Sequence, residues 1–300
     1  MTIVCALEKA RAFLNNAPFV KKDLSLNPTL PRPRANLESE ILLSHILREN
    51  RVFLHTFGEK ILSKKQENEF FALIKRRVNG EPIEYLTGKV SFYGEEFFIE
   101  SGVLIPRPES EILIDKVQAL LTQTNTQKKF EAGVFEVGVG SGIIALTLAR
   151  LNPNLRIYTS DINQKALALS MKNSAHFGLD SKVSLFFGSL LEPFITNLGA
   201  QKLKGALIVS NPPYIANDYP LSTPLKFEPQ NALFGGERGS EILEALILES
   251  KRVDARALVC EMGYDQKEFL SAFIARIPHK KLEFYKDLSG LDRGFVLEFF

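Results

Sequence analysis

From Gly133 onward the chain alternates short apolar runs with helical stretches, and nothing else in it constrains the fold as tightly. Runs that read as strands stand at GVFEVG, LRIYTSD, VSLFFG, ALIVSN and ALVCEM. Helical spacing follows at 143–151, 164–177, 237–253 and 265–275. Strand, helix, strand in that order means parallel strands joined by right-handed crossovers, hence a doubly wound α/β sheet. The C-terminal run KLEFYKDLSGLDRGFVLEFF breaks the alternation. Its two strand-like halves around a glycine-rich turn predict an antiparallel hairpin at the sheet edge.

Upstream the pattern is helical. Leu37, Ile41, Leu42, His45 and Ile46 recur at three- and four-residue spacing, and Phe70, Phe71, Ile74 and Val78 share a face of QENEFFALIKRRV. A proline-rich break, NPTLPRPR, precedes them. Residues 1–90 thus read as a small helical domain, 91–108 as a hairpin and linker, and 109–300 as the α/β domain. Within the linker SFYGEEFFIE predicts a hairpin, and Pro108 and Glu109 predict the start of a helix, where a missing N–H and an acid suit the unpaired amides. The first 90 residues carry 15 basic and 10 acidic side chains, the remainder 22 and 25. That asymmetry fits a docking surface or ordinary solvated helix faces.

The two cysteines lie far apart and the four histidines are scattered, so neither a disulfide scaffold nor a metal site is expected, and a reducing cytoplasm is. A net charge of +2 does not by itself imply nucleic-acid binding. No apolar run of about 18 residues predicts a membrane span, and the N-terminus lacks the apolar core of a signal peptide.

FEVGVGSGIIAL passes from strand to helix through Gly138, Gly140 and Gly142, which bring backbone close to a ligand and aim helix amides at it. Ile143 stands where a dinucleotide fingerprint needs glycine, and no P-loop lysine follows. Asp161 ends the next strand about twenty residues on, where an acid accepts both hydroxyls of a ribose; it also suits the N-cap of the following helix. Glu136, inside the first strand, needs a partner if buried. A glycine loop without a phosphate partner, preceded by an acid, suits a cationic nucleoside such as S-adenosylmethionine. At the end of the fourth strand, LIVSNPPYIA places Asn211, Pro212, Pro213 and Tyr214. Proline cannot continue the ladder, so the backbone carbonyls become fixed acceptors. With the Asn211 amide and the Tyr214 ring they can grip a planar NH₂ group.

The Asn-Pro-Pro-Tyr signature resembles that of methyltransferases acting on planar nitrogens, both adenine-N6 DNA enzymes and glutamine-N5 protein enzymes. EPIEYLTGKVSFYGEEFF, VLIPRPESE and KFEPQNALFGGERG are similar to the release factor glutamine methyltransferases, the HemK/PrmC-type family, from roughly Ala35 to the C-terminus. The resemblance implies a class I methyltransferase domain, with a mostly parallel sheet and an antiparallel C-terminal strand, behind a helical domain that docks the release factor. It implies methyl transfer from S-adenosylmethionine, leaving S-adenosylhomocysteine, to the glutamine N5 of the Gly-Gly-Gln motif in peptide chain release factors. Gly138, Val139, Gly140, Ser141, Gly142, Asp161 and Asn211 would hold the cofactor. Asn211, Pro212, Pro213 and Tyr214 would hold the glutamine amide, with Asn211, Pro212 and Tyr214 catalytic. The chain departs from the family at Glu136 and Val139, and at Gly188, Ser189 and Leu190, where an acid and an aromatic usually meet adenine. The competing readings are a DNA adenine methyltransferase, disfavoured by the acidic balance beyond residue 90, and a non-catalytic binding protein.

Overall fold

The computed structural model describes residues 1–26, 33–122 and 133–300, so most of NPTLPRPR lies outside the described residues. The chain divides into two compact units, Met1–Lys89 with Pro220–Phe227, and Val90–Tyr219 with Glu228–Phe300. An eight-residue segment deep in the second half of the sequence therefore belongs to the first unit.

The first unit holds the helices α1 (Ile3–Asn15), α2 (Pro18–Leu26), α3 (Ala35–Leu47), α4 (Arg51–Thr56), α5 (Lys64–Val78) and α6 (Ile83–Thr87). Ser63 and Gln66 cap α5 reciprocally, each side chain accepting from the other's backbone N–H. Its core joins Leu7, Leu14, Leu42, Leu43, Phe70 and Ile74. The buried face of α3 runs through Ala35, Ser39, Glu40, Leu42 and Leu43, and His45 is exposed. Of the expected stripe, Leu42 is buried and Ile46 packs against this core, whereas His45 faces solvent; Glu40 joins the buried face instead, paired with Arg11 (3.2 Å) and Arg51 (2.6 Å). A buried carboxylate so paired satisfies the charge that apolar periodicity reads as surface.

The second unit opens with a hairpin, β1 (Lys89–Phe92) and β2 (Glu95–Phe98), turning at Tyr93 and Gly94, both with positive φ as a tight two-residue turn requires. Helix α7 (Ser110–Thr122) follows, starting two residues after Pro108 because the first hydrogen bonds of the turn run from Ser110 to Arg107 and from Glu111 to Pro108. Then come β3 (Val134–Val137), α8 (Ile143–Leu151), β4 (Ile157–Asp161), α9 (Gln164–Phe177), β5 (Val183–Phe187), α10 (Glu192–Leu198), β6 (Leu207–Ser210), β7 (Ile215–Ala216), β8 (Phe234–Gly236), α11 (Glu241–Arg252), β9 (Ala257–Glu261), α12 (Lys267–Ile274), β10 (Lys281–Lys286) and β11 (Asp292–Glu298).

Seven of these strands form one sheet in the order β10-β11-β9-β6-β3-β4-β5. Pairings from β9 to β5 are parallel; β11 runs antiparallel between β9 and β10. The doubly wound sheet and its edge hairpin are thus as the sequence predicts. Side chains alternate between faces, so Val134 joins a core with Leu113, Val117 and Leu146, while Phe135 joins one with Leu246, Ile247 and Leu258. Helices on both faces explain why these strands read as unbroken apolar runs.

Candidate active site

The five parallel strands bring their carboxyl ends to one side of the sheet, and the sequence-predicted site residues sit there. At the end of β3 the Gly138 and Val139 N–H groups both donate to the Ser160 carbonyl, at 2.9 and 3.0 Å, and Gly142 N–H closes back on Val139 O at 2.8 Å. Gly142 has φ +86, and a Cβ there would stand 2.6 Å from Ser170 Oγ. At Gly140, φ +54, a Cβ would meet nothing within 4 Å. One glycine of the loop serves packing and the other leaves bare backbone.

Asp161 ends β4. Its Oδ2 accepts from Gly140 N–H at 3.0 Å and its Oδ1 from Asn163 N–H at 2.8 Å. Burial pushes its carboxyl above the usual range, and the backbone donors pull it back. The N-cap of α9 is Asn163, whose Oδ1 accepts from Lys165 N–H. Asp161 cannot take that role because it is still paired with Phe187 in the sheet. Glu136 is fully buried; Oε2 accepts from Ala145 N–H at 3.1 Å and Oε1 has no partner among the described residues. Burial holds its carboxyl well above the ordinary range, and the Asp161 charge adds to this.

At the end of β6, Ser210 Oγ donates to Val137 O at 2.7 Å, and Asn211 Nδ2 donates to Ser110 Oγ at 3.1 Å. The two-proline turn is then fixed by its neighbours instead of a ladder. Tyr214 O accepts from Gln266 Nε2 at 3.0 Å, and β7 pairs with β8. Gly235 of β8 lies so close that a Cβ would sit 2.4 Å from Pro213 O. Glu228, buried, ties the approach to α7 to this region, accepting from Ile105 N–H at 2.9 Å and Arg107 Nη2 at 2.6 Å.

A cavity of ≈ 310 Å³ opens between these parts. Gly138, Gly140, Asp161, Asn211, Pro212 and Pro213 line it; Val139, Ser141, Gly142 and Tyr214 do not. Val139 and Ser141 are buried, and the Ser141 carbonyl is taken by Asn173 Nδ2 at 2.8 Å. The half-buried Tyr214 ring packs on the core that contains Leu258 and Phe295. Gly188, Ser189 and Leu190, where the chain departs from the family's adenine contacts, line the cavity as well, and so do Leu104, Ile162, Asn163, Asn231 and Phe234, which the motifs leave unassigned. Leu104 and Phe234 lie inside VLIPRPESE and KFEPQNALFGGERG, so those stretches held the signal.

The sequence matches a PrmC N-terminal domain model over residues 29–88 and a methyltransferase small domain model over 110–221. A release factor glutamine methyltransferase of Bacillus anthracis is 36% identical over 260 residues, spanning 85% of this chain and 89% of the relative. One from Dictyoglomus turgidum is 34% identical over 96% of both chains. The chain belongs to the release factor glutamine methyltransferase family. Solved structures share the fold at low identity: the hMettl16 catalytic domain in complex with an RNA hairpin (TM-score 0.56, 15% identity, 79% of this chain and 83% of that one) and the N-terminal domain of human METTL16 in complex with SAH (0.51, 12%, 86% and 94%). Family membership makes the chain a methyltransferase, and the cavity is where its sheet, glycine loop and Asn-Pro-Pro-Tyr turn meet. Among the described residues no helix is long and apolar enough to cross a membrane.

Proposed function

We propose that this protein transfers the methyl group of S-adenosylmethionine to the side-chain amide nitrogen of the glutamine in the Gly-Gly-Gln motif of a peptide chain release factor. The observation that carries the reading is a single cavity lined at once by Gly138, Gly140 and Asp161 and by Asn211, Pro212 and Pro213. The first group suits a nucleoside and the second a planar amide, in a chain whose relatives are named release factor glutamine methyltransferases.

The residues present fit S-adenosylmethionine. Asp161 offers a carboxylate for ribose hydroxyls, Gly140 leaves its backbone uncovered, and Leu104, Ile162 and Leu190 give apolar walls for a base. When bound, that cosubstrate supplies an activated methyl on a sulfonium. The protein's task is orientation, since an amide nitrogen is a weak nucleophile whose lone pair is delocalised. Asn211 Oδ1 and the Pro212 carbonyl would accept from the two amide hydrogens and turn the nitrogen towards the methyl. As the N–C bond forms and the S–C bond breaks, those hydrogens become stronger donors, so the acceptors bind the transition state more tightly than the ground state. The methylated nitrogen would then lose one proton to water, with no strong base needed. Tyr214 would hold the turn from the core side.

Incubation of the full chain with labelled S-adenosylmethionine and either an intact release factor, its Gly-Gly-Ala variant or DNA tests the reading. Label on the intact factor alone is expected. Label on the DNA would favour the adenine alternative, and none on any acceptor would leave a binding protein.

A further inference from the structure

One carboxylate that the proposed chemistry does not use lies a single hydroxyl away from the amide clamp. Glu261 ends β9, is 1% exposed, and neither oxygen completes a hydrogen bond among the described residues. Cys260 is in register with Ser210, so Glu261 and Asn211 leave neighbouring strand ends, and Ser110, the first residue of α7 and equally buried, is the hydroxyl that favours the ionised Glu261 carboxyl. Ser110 Oγ accepts from Asn211 Nδ2 at 3.1 Å. A hydroxyl has one proton and two lone pairs. With Asn211 donating into a lone pair, the serine proton is left for Glu261.

We propose that Glu261 is a positioning residue that fixes, through the Ser110 hydroxyl, which end of the Asn211 side-chain amide faces the cavity. The inference rests on the reading of Asn211 as an acceptor for the substrate amide. An ionised carboxylate only accepts, so Ser110 donates to it and accepts from Asn211. The Asn211 NH₂ is thereby held on the serine, and Oδ1 is presented to the substrate. A protonated Glu261 donates to Ser110 instead. The serine proton is then free for Asn211, and an amide turned by half a revolution, with Oδ1 on the serine, is satisfied equally well. That orientation sets NH₂ against the NH₂ of the substrate, donor against donor.

The surroundings of Glu261 place this switch near neutrality. The charges of Arg107 before α7, Glu109 in the turn there and Arg293 on β11 act on it, and its own charge acts on Tyr214 of the two-proline turn, Tyr285 of β10 and the neighbouring Cys260. The arginines favour the ionised form, yet Arg107 is bound to Glu228 and Arg293 to Asp287 (2.8 Å). Burial outweighs them, and the carboxyl is pushed up to about 7. Activity that needs the ionised form is present above this pH and declines as pH falls through it.

The test compares wild type, Glu261→Gln, Ser110→Ala and Ser110→Thr as full chains. On release factor, wild-type kcat is expected to fall about tenfold per pH unit on the acid side of neutrality. Glu261→Gln and Ser110→Ala should lose about 10²-fold in kcat at pH 8, with cofactor affinity unchanged and the acid limb gone. Ser110→Thr, which keeps the hydroxyl, should restore both. A Glu261→Gln enzyme with the wild-type pH profile overturns the proposal. Side-chain ¹⁵NH₂ resonances of Asn211, assigned by their loss in Asn211→Asp, give a readout on wild type that needs neither turnover nor a folded Glu261 variant. They are expected to titrate across neutrality, and flat signals overturn the proposal. Titrating signals in a protein that leaves release factor unmethylated would support the positioning role while refuting the substrate reading.

Discussion

Asn211 is the one side chain in the proposed amide clamp, and it works beside the Pro212 carbonyl. The next carbonyl of the turn that is taken is that of Tyr214, which accepts from Gln266, so the Asn211 side chain is the replaceable part of the clamp. Asn211→Ala should therefore lower kcat on release factor by about 10²–10³-fold while calorimetry shows S-adenosylmethionine binding largely kept; a loss within a few-fold would sink the clamp. Glu136 makes a different prediction. Its carboxyl lies well above the ordinary range through burial, so the folded state favours the protonated form. Stability is then fully present below the unfolded pKa and declines as pH rises towards the folded one. Glu136→Gln keeps an oxygen for Ala145 N–H and has no charge to bury. Its melting temperature should exceed that of wild type at pH 8 and converge with it near pH 4, and thermal scans at the two pH values decide. These two residues also mark how far the sequence could be read. Asn211 stands out locally, since an amide before two prolines has no ladder to join. The partners that orient it, Ser110 and Glu261, lie in remote segments and carry no motif.

At the scale of elements, legibility followed the strength of the local signal. Helices α8 and α9 fall where their spacing predicts, bounded by Gly142 before one and Gly178 after the other. Helix α10 was missed: EPFITNL spans seven residues, too short for a stripe to repeat. The strands β7 and β8, of two and three residues, were invisible for the same reason, yet they brace the two-proline turn. Their contribution can be measured through glycine. A Cβ at Gly235 would lie 2.4 Å from Pro213 O and 2.6 Å from Gly239 O, both backbone atoms that cannot swing away. Gly235→Ala should cost about 1–3 kcal/mol or more of stability and depress kcat. Gly140→Ala meets no atom but strains a left-handed backbone, at about 1–2 kcal/mol, and should chiefly weaken cofactor binding. Equal effects of the two on stability and on cofactor affinity would show that the β7–β8 pair does not set the turn.

On the scale of the whole molecule, the sequence suggests a simple order, a helical domain followed by a catalytic one, and the fold modifies it. Pro220–Phe227 belongs to the helical unit although it is inserted between β7 and the cavity-lining Pro229. No local pattern announces this, because what holds the segment is Asp23, two hundred residues upstream. Its carboxylate, nearly buried, accepts from Thr223 N–H at 3.0 Å and from Thr223 Oγ1 at 2.8 Å. The Thr223 methyl occupies the space over Gly80, where a Cβ would come within 2.5 Å of it. Asp23→Ala leaves the Thr223 donors without their acceptor, a local cost of about 1–3 kcal/mol, and among the described residues Asp23 is the hydrogen-bond partner that links Thr223 to α2. Hydrogen exchange in Pro220–Phe227 should accelerate roughly ten- to hundredfold, while β3, β4 and β6 stay as protected as in wild type. Asp23→Asn retains one acceptor and should fall between the two. Methylation of release factor should drop through kcat, because the freed segment continues directly into Pro229 and Asn231 of the cavity wall, whereas Asp161 and the glycine loop are untouched and cofactor affinity holds. Exchange in the segment unchanged by Asp23→Ala would mean that the loop is held by its own turns and owes nothing to the helical unit.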